Sequence, residues 1–130
     1  MKPLGPIPAG YEALRGELTV GGKTAPELVA EAGDTPCFIY SKAHLDRRVA
    51  DLRAAMPDRL GINYAVKANP FRPLIEHVAG FVDGFDIASA GELTLVEKAG
   101  IDPARVSFAG PGKRDAELAA AIHHGVTLNL

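Results

Sequence analysis

Cysteine, basic charge and long apolar stretches are all scarce in this sequence. One cysteine, Cys37, is present in 130 residues, so no disulfide can form within the chain and a reducing compartment fits best. The formal net charge of -2 leaves no excess of basic residues, which argues against a nucleic-acid or membrane-surface role. No stretch has the length and apolarity of a signal peptide or a membrane span. We therefore expect a cytoplasmic protein whose partners are small molecules.

A glycine-rich phosphate turn is also missing. Tyr40, Ser41 and Lys42 follow the first strand predicted beyond residue 35, where a doubly wound nucleotide-binding sheet usually has glycines. What the chain has instead is a regular alternation of strand and helix patterns with short connections, which is typical of a parallel α/β fold and favours a (β/α) barrel. The predicted strands are residues 37–40, 61–69, 85–88 and 106–109, with a fifth that begins at residue 126.

A helix is predicted after each of the first four strands. Ser41 caps the first helix, Asn69 with Pro70 starts the second, and Ser89 with Glu92 has the spacing of a capping box at the third. The fourth is expected over residues 113–124. The apolar positions expected to face the core are Leu45, Val49, Leu52 and Met56 in the first helix, Leu74, Ile75 and Val78 in the second, Leu93, Val96 and Ala99 in the third, and Leu118 and Ile122 in the fourth.

The first part of the chain precedes this alternation. Proline and glycine predict an irregular segment over residues 1–10, and residues 16–20 alternate like a short strand. Thr24 with Glu27 predicts a capped helix that ends at Gly33. We therefore predict two parts: residues 1–34, an N-terminal segment, and residues 35–130, a partial barrel.

The end of the sequence lies inside a strand pattern. Residues 126–130 carry no turn signal and no polar tail. About four βα units and a fifth strand are present, whereas a closed barrel needs eight units. We therefore expect the front part of a longer protein, with open sheet edges that make this piece poorly stable by itself.

Lys67 is the residue around which a functional site can be built. It lies near the end of the strand predicted over residues 61–69, and a lysine there is either a charge at the rim or a reactive amine. Side chains alternate across a strand, so Lys67 and Ala65 share one face, and the small Ala65 leaves room for a bound group. Barrel enzymes carry their reacting groups at the carboxyl ends of the strands, which favours the reactive amine.

Asp86 is predicted to lie on the same face of the next strand, opposite Phe85 and Ile87. A neighbouring carboxylate keeps a lysine protonated, whereas attack on a carbonyl needs the neutral amine. Once a Schiff base has formed, the protonated imine is the useful form, and a carboxylate stabilises it. Two alternatives stay open: a Schiff-base lysine beside its carboxylate, and an internal ion pair between Lys67 and Asp86.

Other candidate residues have simpler structural explanations. Glu92 is accounted for by capping at Ser89. His123 and His124 fall in the last turn of a helix, where an imidazolium favours the helix dipole, and no cysteine or carboxylate lies at metal-ligand spacing around them. The turn over residues 110–113 could present backbone amides to an anion, but a plain turn explains it equally well. We expect no metal site.

Two motifs occur in order along the chain: Tyr64-Ala65-Val66-Lys67-Ala68-Asn69 and Phe85-Asp86-Ile87-Ala88-Ser89-Ala90-Gly91-Glu92. Together they resemble those of the ornithine, diaminopimelate and arginine decarboxylase family, whose members use pyridoxal phosphate. The resemblance extends from about residue 35 to residue 130, and it is closest to the bacterial diaminopimelate decarboxylases. Residues 107–113 resemble a subgroup associated with exosortase export systems.

The resemblance implies an α/β fold in which a pyridoxal-phosphate-binding (β/α)8 barrel follows a segment of a second, β-rich domain. It implies that Lys67 holds the cofactor as a Schiff base, that Asp86 and Ala65 line the same pocket, and that the full-length protein is a homodimer. The expected reaction is decarboxylation of an amino acid, with meso-diaminopimelate, which would give L-lysine, as the favoured candidate.

The resemblance also indicates what residues 1–130 do not supply. In the family, the ring-stacking histidine, the phosphate site and the acidic partner of the pyridine nitrogen come from later sequence. We therefore expect the 130-residue chain alone to bind the cofactor weakly and not to turn over. Two other functions stay open: an alanine-racemase-like enzyme, and a catalytically silent homologue that regulates a partner.

Overall fold

The structure is a computed structural model that describes residues 5–130. Residues 1–4, which begin the segment predicted to be irregular, lie outside the described residues. The chain divides into two compact units, with the division after Arg47. This division is based on contacts within the chain, whereas the predicted boundary between residues 1–34 and residues 35–130 separates two domains of a longer protein. The domain boundary stays a prediction.

The first unit contains a small antiparallel sheet and a short helix. The sheet has the order β1 (Glu12–Leu14), β2 (Glu17–Val20), β3 (Lys23–Thr24), and α1 (Ala25–Ala32) follows directly. The predicted capping box at the start of α1 is confirmed: the Thr24 amide donates to Glu27 Oε2 at 2.7 Å, and the Glu27 amide donates to Thr24 Oγ1 at 3.5 Å. The predicted end of α1 at Gly33 is confirmed by a positive φ of 93° there.

The strand predicted over residues 37–40 is wrong. These residues have no regular secondary structure, and Phe38 is 85% exposed. A strand exists only through its hydrogen-bonded neighbours, and among residues 5–130 no ladder includes this segment. An apolar run alone therefore could not establish a buried strand.

Helix α2 (Lys42–Ala55) follows this segment, and its predicted cap is confirmed because the His44 amide donates to Ser41 Oγ at 3.3 Å. The core-facing stripe predicted for α2 is wrong, since no residue of the helix is buried and Leu52 is 50% exposed. An apolar stripe is buried only where another element covers it. The strand expected to lie beneath α2 does not form.

The second unit has a parallel sheet of four strands in chain order, so the predicted α/β architecture is confirmed. Helices alternate with the strands, and two single 3-10 turns complete the unit. The elements are β4 (Asn63–Ala65), the turn Val66–Ala68, α3 (Arg72–Val78), β5 (Gly84–Ile87), α4 (Ala90–Lys98), the turn Pro103–Arg105, β6 (Val106–Phe108), α5 (Asp115–His124) and β7 (Thr127–Leu128).

One face of this sheet is apolar and buried against the helices. Phe85 and Phe108 are fully buried, and Phe85 meets the ring of Tyr64 edge to face with 6.1 Å between centroids. The helices supply the other side of the core, as predicted for α3 and α4. The fully or almost fully buried residues of the sheet and helices are Phe85, Ile87, Val106 and Phe108 with Ile75, Val78, Leu93, Val96 and Ala121.

The predicted inward face of α5 is wrong by one position. Ile122 is 68% exposed, whereas its neighbour Ala121 is fully buried and Leu118 is half-buried. Ala121 and Ile122 are about 100° apart around the helix with Leu118 between them, so the covered face is shifted from the predicted one toward Ala121. The small Ala121 lets α5 approach the rest of the unit closely.

The amino-terminal edge of the sheet is held by charged side chains. The Asp83 carboxylate accepts from the Ile62 amide at 2.6 Å and from Arg53 Nη2 at 2.5 Å. The hydrogen bond from Ile62, followed by that from Arg53, lowers the pKa of Asp83. Arg105 Nη2 donates to the carbonyls of Ala79 at 3.0 Å and Val82 at 2.7 Å. These bonds fix the loop between α3 and β5 at the amino-terminal edge of the sheet.

We expect Phe85→Ala to lower the free energy of unfolding by about 3–5 kcal/mol, since it removes a fully buried ring and leaves a cavity in the core. Phe38→Ala is the matched control: that ring is 85% exposed, so its loss should change stability by about 0.5 kcal/mol or less. Urea denaturation followed by circular dichroism measures both. Equal losses in the two variants would contradict the core described above.

Candidate active site

Lys67 lies in a 3-10 turn, so the strand predicted to continue through it is too long. Strand β4 ends at Ala65, and the Asn69 amide donates to the Val66 carbonyl at 3.1 Å to close the turn. Val66 is fully buried and anchors the turn, while Lys67 is exposed. The amine therefore stands immediately beyond the carboxyl end of a parallel strand, at an edge open to solvent.

The residues after the turn also differ from the prediction. Helix α3 begins at Arg72, not at Asn69 and Pro70, and the side chain of Asn69 instead accepts from the Phe71 amide at 3.0 Å. Tyr64 Oη donates to the Asn69 carbonyl at 3.1 Å. Asparagine often bonds to backbone two residues ahead in such turns, which competes with helix initiation. These bonds fix the backbone of the residues that follow Lys67.

The predicted alternation along β5 is confirmed by burial. Phe85 and Ile87 are buried on the helix side, whereas Asp86 between them is half-buried. Asp86 and Ala65 are paired across β4 and β5, and Ser107 of β6 is the next partner in that row. We call the sheet face that carries this row the inner face. It is polar or small at every position of the row, unlike the apolar face under the helices.

Asp86 bonds to an amide on its own face. Asn63 Nδ2 donates to Asp86 Oδ1 at 3.3 Å. Among residues 5–130, no ion pair joins Lys67 to Asp86 or to any other carboxylate. The alternative of an internal Lys67–Asp86 ion pair thus finds no support in the structure. Sequence reasoning did not single out Asn63, although an amide inside an otherwise apolar strand was the available signal.

The loop after β5 is fixed by two carboxylates that accept from its backbone. Glu92 Oε2 accepts from the Ala88 amide at 2.6 Å, and Glu117 Oε1 accepts from the Ala90 amide at 2.9 Å. The predicted cap is confirmed, since Ser89 Oγ accepts from the Glu92 amide at 3.2 Å. The Glu92 carboxylate, however, bonds to Ala88 and not to Ser89. Its role is structural, as the sequence indicated.

Glu117 connects the start of α5 to the start of α4. Besides the Ala90 amide, it accepts from the Arg114 amide at 3.1 Å through Oε2. The bond from Ala90, and then that from Arg114, lowers the pKa of Glu117. Gly110 approaches the same loop so closely that a Cβ there would lie 2.6 Å from the Ala88 carbonyl oxygen. The backbone that follows Asp86 is therefore held from three directions.

The remaining candidates take structural contacts. Lys113 Nζ donates to the carbonyls of Gly110 at 2.7 Å and Asn129 at 2.6 Å, which ties the loop after β6 to the end of β7. His124 is not simply solvated, because its Nδ1 lies 2.6 Å from Glu97 Oε1. No group of three or more potential metal ligands occurs in residues 5–130. In the same range, no helix is both long and apolar enough to cross a membrane.

A family model and several proteins match this chain. Residues 42–130 match the model described as "Pyridoxal-dependent decarboxylase, pyridoxal binding domain". Diaminopimelate decarboxylase of Aquifex aeolicus is 44% identical over 108 residues, which is 82% of this chain and 25% of that protein. A Staphylococcus aureus protein, 2-[(L-alanin-3-ylcarbamoyl)methyl]-2-hydroxybutanedioate decarboxylase, is 32% identical over 77% of this chain and 25% of its own length. The chain thus spans about a quarter of the length of these relatives.

Solved structures share the fold. A crystal structure from Aquifex aeolicus superposes with a TM-score of 0.80 at 38% identity, over 92% of this chain and 30% of that one. Diaminopimelate decarboxylase from Helicobacter pylori complexed with L-lysine superposes with a TM-score of 0.71 at 29% identity, over 80% of this chain and 27% of that one.

We expect Glu117→Gln to make the free energy of unfolding less dependent on pH in the acidic range. Because the folded-state pKa of Glu117 lies below its ordinary value of 4.5, its contribution is complete above that value and is lost as pH falls through the folded pKa. The amide cannot titrate and accepts through one oxygen only, so the variant should be less stable at neutral pH and lose less on acidification. Urea denaturation between about pH 7 and pH 3 measures this, and parallel profiles for the two proteins would contradict it.

Proposed function

Because the chain belongs to the family of pyridoxal-dependent decarboxylases, through their pyridoxal-binding domain, we propose that it carries the cofactor lysine of an enzyme that decarboxylates an amino acid. The observation that carries the proposal is the position of Lys67. Its amine is exposed just beyond the carboxyl end of β4, on an edge formed only by strand ends and the loops after them.

The residues around Lys67 fit a cofactor with an aldehyde. The amine of Lys67 is the group that attacks a carbonyl, and in the described part of the chain no carboxylate forms an ion pair with it. Ala65, which ends the strand below the turn, is small and leaves space over the inner face. Asp86 is its pair on β5 and supplies one carboxylate beside that space. We assign Lys67 as the covalent anchor and Ala65 and Asp86 as pocket residues.

The cofactor, when bound, supplies an electron sink for the electron pair left behind when the substrate carboxylate departs as carbon dioxide. The chain's own residues have simpler tasks. Lys67 would hold the cofactor through its side-chain amine. The loop after β5, fixed by Glu92 and Glu117, keeps the backbone beyond Asp86 in place. Rigid loops at strand ends suit a reaction that depends on orientation.

Diaminopimelate is the substrate we favour. Relatives from Aquifex aeolicus, Neisseria meningitidis and Pseudomonas aeruginosa carry the name diaminopimelate decarboxylase at 40–44% identity. The Staphylococcus aureus relative is named for a different substrate, so the named substrate varies among proteins that share this segment. Assays of carbon dioxide release with meso-diaminopimelate, lysine, ornithine and arginine discriminate among these substrates. Activity on any of the last three without activity on diaminopimelate would overturn our choice.

We also propose that the full-length protein is a cytoplasmic homodimer. The single thiol of Cys37 supports a reducing compartment, and the dimer rests on the resemblance to the decarboxylase family. Mass measurement by light scattering on the full-length protein tests the dimer directly.

We expect Lys67→Ala to abolish covalent attachment of pyridoxal phosphate in the full-length protein, because no amine remains at that position. Borohydride reduction followed by peptide mass spectrometry measures attachment, and decarboxylation should fall by at least about a thousandfold. Lys98→Ala is the matched control: Lys98 is an exposed lysine in the last turn of α4, and its loss should leave attachment unchanged. Cofactor attachment that survives Lys67→Ala would overturn the assignment.

For the 130-residue chain by itself we expect weak cofactor binding and no turnover, since the family's phosphate site and the partner of the pyridine nitrogen are not assigned within it. Absorbance titration with pyridoxal phosphate and carbon dioxide release from meso-diaminopimelate test this. Turnover by the isolated chain would show that residues 1–130 contain all the groups the reaction needs.

A further inference from the structure

Asn63 and Asp86 form a side-chain pair on the inner face, one strand apart. The Asn63 amide donates to Asp86 Oδ1 across β4 and β5, and both residues lie on the side of the sheet away from the buried rings. Asn63 stands one pleat below Ala65, so its amide reaches diagonally upward to Asp86. A hydrogen bond to an ionised acceptor is stronger than one between neutral groups, and the amide adds no competing charge.

Gly84 makes this contact possible. It is paired with Asn63, and a Cβ built on Gly84 would lie 2.7 Å from Asn63 Oδ1 and 3.2 Å from its Cγ. The Asn63 carboxamide therefore occupies the space that a side chain at residue 84 would fill. That Cβ would also lie 2.8 Å from the Arg105 backbone carbonyl oxygen, so a larger residue would displace both the amide and the backbone that precedes β6.

The turn that carries Lys67 packs beside β5, the strand of Asp86. A carboxylate next to a lysine favours the charged amine, which cannot attack a carbonyl. In this structure Asp86 bonds to Asn63, and among residues 5–130 Lys67 has no carboxylate partner. Both the Asp86–Asn63 bond and the absence of a Lys67–Asp86 ion pair are explained if the Asn63 amide sets the direction of the Asp86 carboxylate.

We propose that Asn63 is a positioning residue that holds the Asp86 carboxylate on the inner face, over Gly84, and so keeps it from pairing with Lys67 before the cofactor binds. This inference rests on the proposed role of Lys67 as the cofactor-binding amine. Asn63 itself touches neither cofactor nor substrate in this role. Its effect is transmitted through Asp86 alone.

The test measures the reactivity of Lys67 without cofactor. Limiting acetic anhydride at neutral pH labels lysines in proportion to their neutral fraction, and mass spectrometry compares Lys67 with the exposed Lys98 in the same protein. In Asn63→Leu the amide donor is lost while the number and branching of the side-chain heavy atoms are kept. We expect the labelling of Lys67 relative to Lys98 to fall about tenfold. A carboxylate partner that favours the charged amine by a factor of about ten lowers the neutral fraction by the same factor.

A double-variant cycle identifies the route. In an Asp86→Asn background, Asn63→Leu should have no further effect on Lys67 labelling, because the carboxylate through which it acts is gone. Asn129→Leu is the matched control, since it removes another side-chain amide, bonded to Ser107 Oγ at 2.7 Å, from the same sheet. That variant should leave the labelling ratio unchanged. An undiminished ratio in Asn63→Leu, or a fall that persists in the Asp86→Asn background, would overturn the proposal.

Circular dichroism of every variant shows whether it is still folded. This control is needed because an unfolded chain would label Lys67 and Lys98 alike. Borohydride trapping of pyridoxal phosphate on the unsubstituted protein is a separate arm. Absence of trapping at Lys67 would remove the proposed function, while the labelling cycle would still decide whether Asn63 acts through Asp86.

Discussion

The difference between the two faces of the parallel sheet is the constraint on which the rest of this structure depends. Phe85, Ile87 and Phe108 bury one face against α3, α4 and α5, and the pleat then sends every intervening side chain to the other face. The pleat therefore places Asp86 and Ser107 on the inner face, and their bonds to Asn63 and Asn129 act within that face. A shift of one residue in register would move the apolar side chains to the inner face and the polar ones into the core. Packing of the apolar core therefore also fixes the position of the polar row.

The carboxyl edge of the sheet is organised by hydrogen bonds to backbone amides. Glu92 and Glu117 each accept from the loop after β5, Lys113 donates to carbonyls at the exits of β6 and β7, and Gly110 allows the loops to approach. Charged side chains thus restrain the loops through their backbone. Within residues 5–130, Lys67 lies at this edge without a carboxylate partner.

Local signals predicted much of the fold. The caps at Thr24, Ser41 and Ser89 and the terminating Gly33 are confirmed, because each depends on a side chain or a backbone angle within a few residues. The errors lie where distant elements decide. Residues 37–40 have the composition of a buried strand but form no ladder, the stripe of α2 remains uncovered, and α5 buries Ala121 where Ile122 was expected.

The sequence alone determined that an apolar strand pattern stops near Lys67, that Asp86 alternates with buried neighbours, and that both belong to motifs of a pyridoxal-dependent decarboxylase family. Periodicity and motif order are local properties, so they can be read without coordinates. The tertiary structure decided that Lys67 lies in a 3-10 turn and that Asp86 bonds to Asn63 over the bare backbone of Gly84. Those facts depend on strand pairing between residues about twenty positions apart, and register between strands is set by packing across the whole sheet.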